Sequence, residues 1–276
     1  MHLGISSFTY TWAVGAPGHP PERPISQWHP LDAIGLLDRA AELGVHLVQI
    51  ADNLSLDQLS PSELDAFAKH AAELDINIEV GTRGIGHENL RTYLGLAERL
   101  GSPILRVVID TADHHPDAEE VVAIIKGVIP DFKRAGVCLA IENHDRFKAT
   151  TLADIIKRIG SQYVGICLDT VNSFGALEGP DVVLEALGHL VVNLHVKDFT
   201  IFRASHMMGF TVEGRPAGQG RLNVPWLLKE LSNLGLNPNA ILELWTPPEE
   251  TLSATIEKED AWAVTSVEYL RTLIPD

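Results

Sequence analysis

The chain has 276 residues, of which 45% are hydrophobic and 21% charged, and its formal net charge is −16. That balance buries a sizeable core and excludes a disordered chain, and the length suits one large α/β domain or two small ones. The acidic field repels phosphate backbones and so argues against a nucleic-acid enzyme, whereas divalent cations and small polar metabolites meet no such barrier.

The apolar runs, such as 121–125 and 187–194, are too short or too interrupted to span a bilayer. Met1-His2-Leu3-Gly4-Ile5 lacks the basic stretch and apolar segment of a secretory leader, so a cytoplasmic protein with no membrane partner is expected. Two cysteines, Cys138 and Cys167, make no disulfide framework; both fall in strand-like runs and read as buried thiols.

In chain order, short apolar runs alternate with segments of helical periodicity. The runs are 3–7, 46–50, 76–80, 104–109, 137–141, 164–168, 191–196 and 240–244. Apolar residues at i, i+3 and i+4 mark helices over 31–43, 61–74, 87–100, 117–135 and 151–159. Gly44, Gly101, Gly136 and Gly235 follow helical segments and precede strands, as C′ glycines do. Eight strands, most of them apolar on both faces, predict an α/β fold: a single (β/α)8 TIM barrel spanning 1–276. The alternative, a doubly wound sheet, often carries a glycine-rich loop after its first strand; Phe8-Thr9-Tyr10-Thr11-Trp12 cannot serve as one. Two connections, 15–30 and 199–223, are longer than the rest and are expected at the C-terminal mouth of the barrel, where binding groups gather.

Four consecutive strands end in a candidate metal ligand. Glu142 stands in Ile141-Glu142-Asn143-His144, and Asp169 in Leu168-Asp169-Thr170-Val171-Asn172. His195 stands in His195-Val196-Lys197-Asp198, and Glu243 in Leu242-Glu243-Leu244-Trp245. Singly, such an acid is more often a helix cap or a solvated loop residue, and such a histidine is often a satisfied core residue. Together they bring three carboxylates to one level of a converging barrel, where a cation is needed to offset their repulsion. One imidazole with three carboxylates suits Mn²⁺, Co²⁺ or Mg²⁺ better than a structural Zn²⁺.

The same four motifs, with Gly4-Ile5-Ser6 in the first strand, resemble the xylose isomerase-like superfamily of sugar phosphate isomerases and epimerases, over nearly the whole chain. The resemblance implies one divalent metal, Mn²⁺ foremost, bound by Glu142, Asp169, His195 and Glu243. It also implies a small carbohydrate substrate and leaves association into a homo-oligomer open. In an isomerase or epimerase reading, the metal stabilises an enediolate while Glu142 and Glu243 face each other across the substrate, one taking the proton and the other returning it. The candidate substrate-binding residues are His144, Asn172, Lys197, Arg203, His206 and Trp12. The superfamily also includes the endonuclease IV type of DNA-repair enzyme, which uses more strand-end histidines than this chain offers.

One departure stands out. Ketose epimerases carry a histidine three residues after the strand-six aspartate, and here that position is Asn172, which hydrogen-bonds but shares no proton near neutral pH. Arg203, His206 and Arg215 in the long loop are donors suited to a carboxylate or phosphate, although solvated loop charges are the commoner role of such residues. An acidic sugar substrate turns the same electron sink to loss of CO₂. The superfamily's lyase branches, decarboxylases of 3-oxo-isoapionate type and dehydratases, are therefore the alternative reading. Trp12 and Trp245 suit the apolar faces of a sugar or simple packing at the rim. Arg106, inside an apolar run, is expected to pair with a buried acid.

Overall fold

The computed structural model of the chain describes residues 1–15 and 30–275. The Pro- and Gly-rich connection expected at 15–30 lies almost wholly outside them.

The chain opens with β1 (Leu3–Ser6), a 3-10 turn over Ser7–Tyr10, α1 (Thr11–Val14), α2 (Ala33–Glu42) and β2 (Leu47–Ile50). It continues through α3 (Pro61–Glu73), β3 (Asn77–Arg83), α4 (His87–Leu100), β4 (Ile104–Val108), α5 (Ala118–Ala135) and β5 (Cys138–Glu142). Then come α6 (Ala149–Ile159), β6 (Val164–Asp169), α7 (Pro180–Leu187) and β7 (Val191–Val196). Last are β8 (Asp198–Arg203), β9 (Phe210–Arg215), α8 (Val224–Asn233), β10 (Asn239–Leu242) and α9 (Leu252–Arg271).

Eight parallel strands close into a barrel in the order β1-β10-β7-β6-β5-β4-β3-β2, the (β/α)8 architecture expected from the sequence. The helix boundaries follow local chemistry. Ser60 caps α3 in a reciprocal box with Glu63, and Pro61 takes the first turn, where its missing N–H costs nothing. Asp117 accepts from the Glu120 N–H at the start of α5, and Gly136 ends that helix at φ 72°, a left-handed conformation that glycine adopts without strain. Between helices and barrel, buried side chains such as Phe67, Ile125 and Phe132 fill a continuous apolar shell.

The interior of the barrel is different. Gln49, Glu79, Arg106, Asn193 and His195 are all buried strand residues, so the strands are not uniformly apolar inside. Parallel register aligns Gln49 with Glu79 on β2 and β3, and Asp169 with His195 on β6 and β7. One expectation needs refinement. The connection after β7 is not irregular throughout, because β8 and β9 pair antiparallel from Asp198–Arg215 to Arg203–Phe210. This ribbon projects outward: Phe202, Met207, Met208, Phe210 and Val212 are exposed.

Candidate metal centre

The C-terminal ends of β5, β6, β7 and β10 carry Glu142, Asp169, His195 and Glu243, all buried, to one level of the barrel. His195 Nδ1 is the meeting point. It lies 3.4 Å from Glu243 Oε1, 3.5 Å from Glu142 Oε2 and 3.9 Å from Asp169 Oδ2. Ligand atoms of Asp169, His195 and Glu243 lie within 4.8 Å of one another, and so do those of Glu142, Cys167 and His195.

Neighbouring strand ends are sewn together around this point. Asn143 Nδ2 donates to the Asp169 carbonyl (2.9 Å) and to Ser173 Oγ (2.9 Å), while its Oδ1 accepts the Asp169 N–H (2.7 Å). The Thr170 hydroxyl accepts from the Lys197 N–H and donates to the Lys197 carbonyl, at 2.9 and 2.8 Å. Asp169 Oδ1 accepts the N–H groups of Val171 and Asn172 at 2.8 and 2.7 Å, which turns Oδ2 toward the cluster.

Two cations already border the carboxylates. Arg106, as expected, pairs with buried acids: its Nε donates to Glu142 Oε2, and a second guanidinium N–H donates to Asp52 Oδ1 (2.8 Å), while Arg83 Nε donates to Asp52 Oδ2 (2.9 Å). Burial would raise the Asp52 pKa, but Arg106 and Arg83 outweigh it and hold the carboxyl below its ordinary value. Lys197 Nζ lies 2.8 Å from Asp169 Oδ2 and 2.8 Å from Glu243 Oε2. Burial disfavours this ammonium, yet Asp169, Glu243 and Glu142 raise its pKa above the usual lysine value. Burial likewise pushes the Glu243 carboxyl up, and His195, Lys197 and Arg106 more than reverse this, bringing it down to about 2.

The donor set fits a hard divalent cation on three buried atoms. His195 Nδ1 has no hydrogen-bond partner, and Asp169 Oδ2 and Glu243 Oε2 converge on it with the Lys197 ammonium 2.8 Å from each. An unpartnered imidazole nitrogen beside convergent carboxylates is what an oxygen-rich cation site offers. Glu142 is at the cluster with both oxygens engaged, because Asn172 Nδ2 donates to its Oε1 (2.6 Å) opposite Arg106. Burial, with Glu142 nearby, pushes the Cys167 thiol well above the ordinary range. Cys138, expected to be buried, is only partly so.

Above the cluster, a cavity of about 460 Å³ is lined by Phe8, Thr11, Trp12, Lys197, Trp245 and the β9 residues Val212–Gly214, among others. The Trp12 and Trp245 rings thus form its aromatic wall, and Trp12 Nε1 donates to the Thr246 carbonyl (2.8 Å).

Asn172 and Lys197 therefore reach the cluster, and Trp12 lines the cavity over it. His144 hydrogen-bonds to its neighbour Asp145 and is half-buried. Arg203 and His206 are exposed at the tip of the ribbon. The Arg203 guanidinium donates to the Met207 carbonyl (3.2 Å) and lies over the Phe210 ring, and His206 Nδ1 accepts the Met208 N–H (3.2 Å). Arg215, at the base, donates to the Gly214 carbonyl (2.9 Å) and stands 3.3 Å from Glu213.

Sequence reasoning missed Ser6, whose hydroxyl donates to Glu243 Oε1 (2.9 Å), and Gln49, whose Oε1 stands 2.7 Å from His195 Nε2. The available signal was a polar residue inside an apolar strand, the signal that had marked Arg106.

Known proteins share this fold. The xylose isomerase-like TIM barrel family matches residues 37–273. A 3-oxo-isoapionate decarboxylase from Pectobacterium atrosepticum is 34% identical over 275 residues, covering 100% of this chain and 97% of that protein. Among solved structures, a D-psicose 3-epimerase crystallised with D-fructose aligns over 100% of both chains at a TM-score of 0.73 and 16% identity. A xylose isomerase-like TIM barrel protein from Mycobacterium smegmatis in complex with magnesium aligns over 96% of each chain at a TM-score of 0.67 and 16% identity, which speaks for the fold. Barrel, strand-end residues and whole-length similarity converge: the chain belongs to the xylose isomerase-like TIM barrel family.

Proposed function

We propose that this chain is a divalent-metal-dependent decarboxylase of a β-keto sugar acid of the 3-oxo-isoapionate class. Mn²⁺ is the first choice of metal, with Co²⁺ and Mg²⁺ as alternatives. The observation that carries the choice of reaction is the state of Glu142. Epimerisation needs one group to take a proton on one face of a carbon and another to return it on the opposite face. Both Glu142 oxygens already accept hydrogen bonds, from Arg106 and from Asn172, so neither is free to face a substrate C–H. Loss of CO₂ needs no base: it needs an electron sink and one proton. The whole-length similarity to a 3-oxo-isoapionate decarboxylase supports the same choice.

Asp169, His195 and Glu243, with Glu142 beside them, would hold the metal, which when bound supplies a Lewis acid next to the substrate's keto oxygen. The C–C bond to the carboxylate breaks, its electron pair moves toward the keto oxygen, and CO₂ leaves. Lys197 Nζ adds positive charge on the side where that oxygen gains electron density, and in this reading it supplies the proton that replaces the lost carboxylate. Phe8, Trp12 and Trp245 line the cavity and would give the substrate carboxylate an apolar face, which favours the neutral product.

Isomerase or epimerase chemistry is the second reading. It is favoured by the nearly equal approach of Glu142 and Glu243 to His195 Nδ1, 3.5 and 3.4 Å. NMR in D₂O of the Mn²⁺- or Mg²⁺-loaded protein with ¹³C-carboxyl β-keto sugar acids and with ketoses separates the two. Decarboxylation releases labelled bicarbonate and leaves one deuterium on the carbon that bore the carboxylate. Deuterium exchange with the carbon skeleton intact overturns it in favour of the second reading.

A further inference from the structure

Beneath the candidate metal centre, the barrel encloses a polar group that the reaction does not touch. Glu79 is 1% exposed and faces three side-chain amides. Asn239 Nδ2 donates to Oε1 at 2.8 Å, and Gln49 Nε2 and Asn193 Nδ2 donate to Oε2 at 3.0 and 2.9 Å. Burial pushes the Glu79 carboxyl up, yet these three partners present N–H and offer no acceptor for a carboxyl proton, which is the pattern around a carboxylate.

That pattern fixes the orientation of Gln49. Its NH₂ group is committed to Glu79 and to Asn193 Oδ1 (3.1 Å), so its carbonyl oxygen points the other way, at His195 Nε2 (2.7 Å). An amide oxygen has no hydrogen to give, so His195 Nε2 must carry one. In the neutral imidazole this leaves Nδ1 as a lone pair aimed at the three carboxylates. The opposite Gln49 orientation would turn its NH₂ group toward Nε2 and put the proton on Nδ1. Nδ1–H would then donate to the carboxylates and close the site to a cation.

We propose that Gln49 and Glu79 are positioning residues that hold His195 as the Nε2–H tautomer, so that its Nδ1 lone pair is ready for a divalent cation. This inference rests on the metal-dependent reading above. Glu79 acts at a distance, through the Gln49 amide, and neither residue touches the substrate.

Two measurements on the full chain test it. Long-range ¹H–¹⁵N correlation of the imidazole rings in the metal-free protein reads the tautomer of His195, whose signals are assigned by their loss in His195→Gln. The expected result is a proton on Nε2. Titration calorimetry of Mn²⁺ into the metal-free protein should show affinity falling about 10- to 100-fold in Gln49→Met, as loss of such an orienting partner does elsewhere. A fall of the same sign is expected in Glu79→Gln, which leaves the contact with His195 itself in place. An Nδ1–H signal in the wild type, or wild-type affinity in either variant, overturns the proposal. Failure of the wild type to bind Mn²⁺ or Mg²⁺ overturns the metal-dependent reading as well, so the two failures are distinguishable.

Discussion

Lys197 Nζ stands 2.8 Å from Glu243 Oε2, and Glu243 is fully buried while the Lys197 side chain is 14% exposed. The ammonium is also 2.8 Å from Asp169, so one lysine bridges two carboxylates that a metal would share. Lys197→Met removes that bridge. In chelator the variant should lose about 3–5 kcal/mol of stability, the cost of stranding buried charge. Saturating Mn²⁺ should then raise its thermal midpoint by more than it raises that of the wild type, and scanning calorimetry with and without metal reads the difference.

Arg106 bridges Glu142 and Asp52 with its side chain 3% exposed. Arg106→Met leaves both carboxylates short of a cation and should cost about 3–5 kcal/mol in urea unfolding. Arg106→Lys should recover only part of this, because a point charge cannot reproduce the fork that reaches two acids.

Glu259, on α9, accepts the N–H groups of Trp12 (3.0 Å) and Ala13 (3.1 Å). Burial pushes its carboxyl up to about 7, against the pull of those two hydrogen bonds. The sign follows from linkage: the folded protein keeps this proton where the unfolded chain has released it. The contribution of Glu259 to stability is thus fully present below about pH 4.5 and is lost as pH rises through about 7, at most about 3 kcal/mol. Glu259→Gln should remove this downward slope between pH 5 and 7 in unfolding titrations.

Trp12 lines the cavity, whereas Arg203 and His206 sit exposed at the ribbon tip. Trp12→Ala should raise KM. Arg203→Ala and His206→Ala should change stability by less than about 0.5 kcal/mol, as surface substitutions do, and leave KM near the wild-type value. Steady-state kinetics on the three variants checks this ranking.

The barrel was legible because its strands are bounded apolar runs and its helices keep a 3.6-residue period. The candidate ligands were legible because Glu142 and Asp169 directly follow such runs and His195 and Glu243 stand near the ends of theirs. The β8–β9 ribbon was not. Its run, Asp198-Phe199-Thr200-Ile201-Phe202-Arg203, ends in exposed Phe202 and Arg203, and a two-stranded ribbon off the barrel follows no burial pattern that a sequence window detects. Gln49, Glu79 and Asn193 carry the signal that marked Arg106, one polar residue between apolar neighbours, but nothing local names their partners. Their partners lie on strands distant in sequence, and only the closed barrel brings them together.

Asp198, the last residue of the His195-Val196-Lys197-Asp198 motif, binds no candidate ligand. Its carboxylate collects the N–H groups of Phe199, Gly218, Gly220 and Leu222, all at 2.8–2.9 Å, and a side chain on Gly220 would collide with it. The two roots of the β8–β9 ribbon are thereby riveted to one buried residue beside the site. What lies between them, including the cavity-lining residues Val212, Glu213 and Gly214, hangs on that one anchor. Loss of that one carboxylate would therefore loosen part of the cavity's wall while leaving Glu142, Asp169, His195 and Glu243 on their own strands.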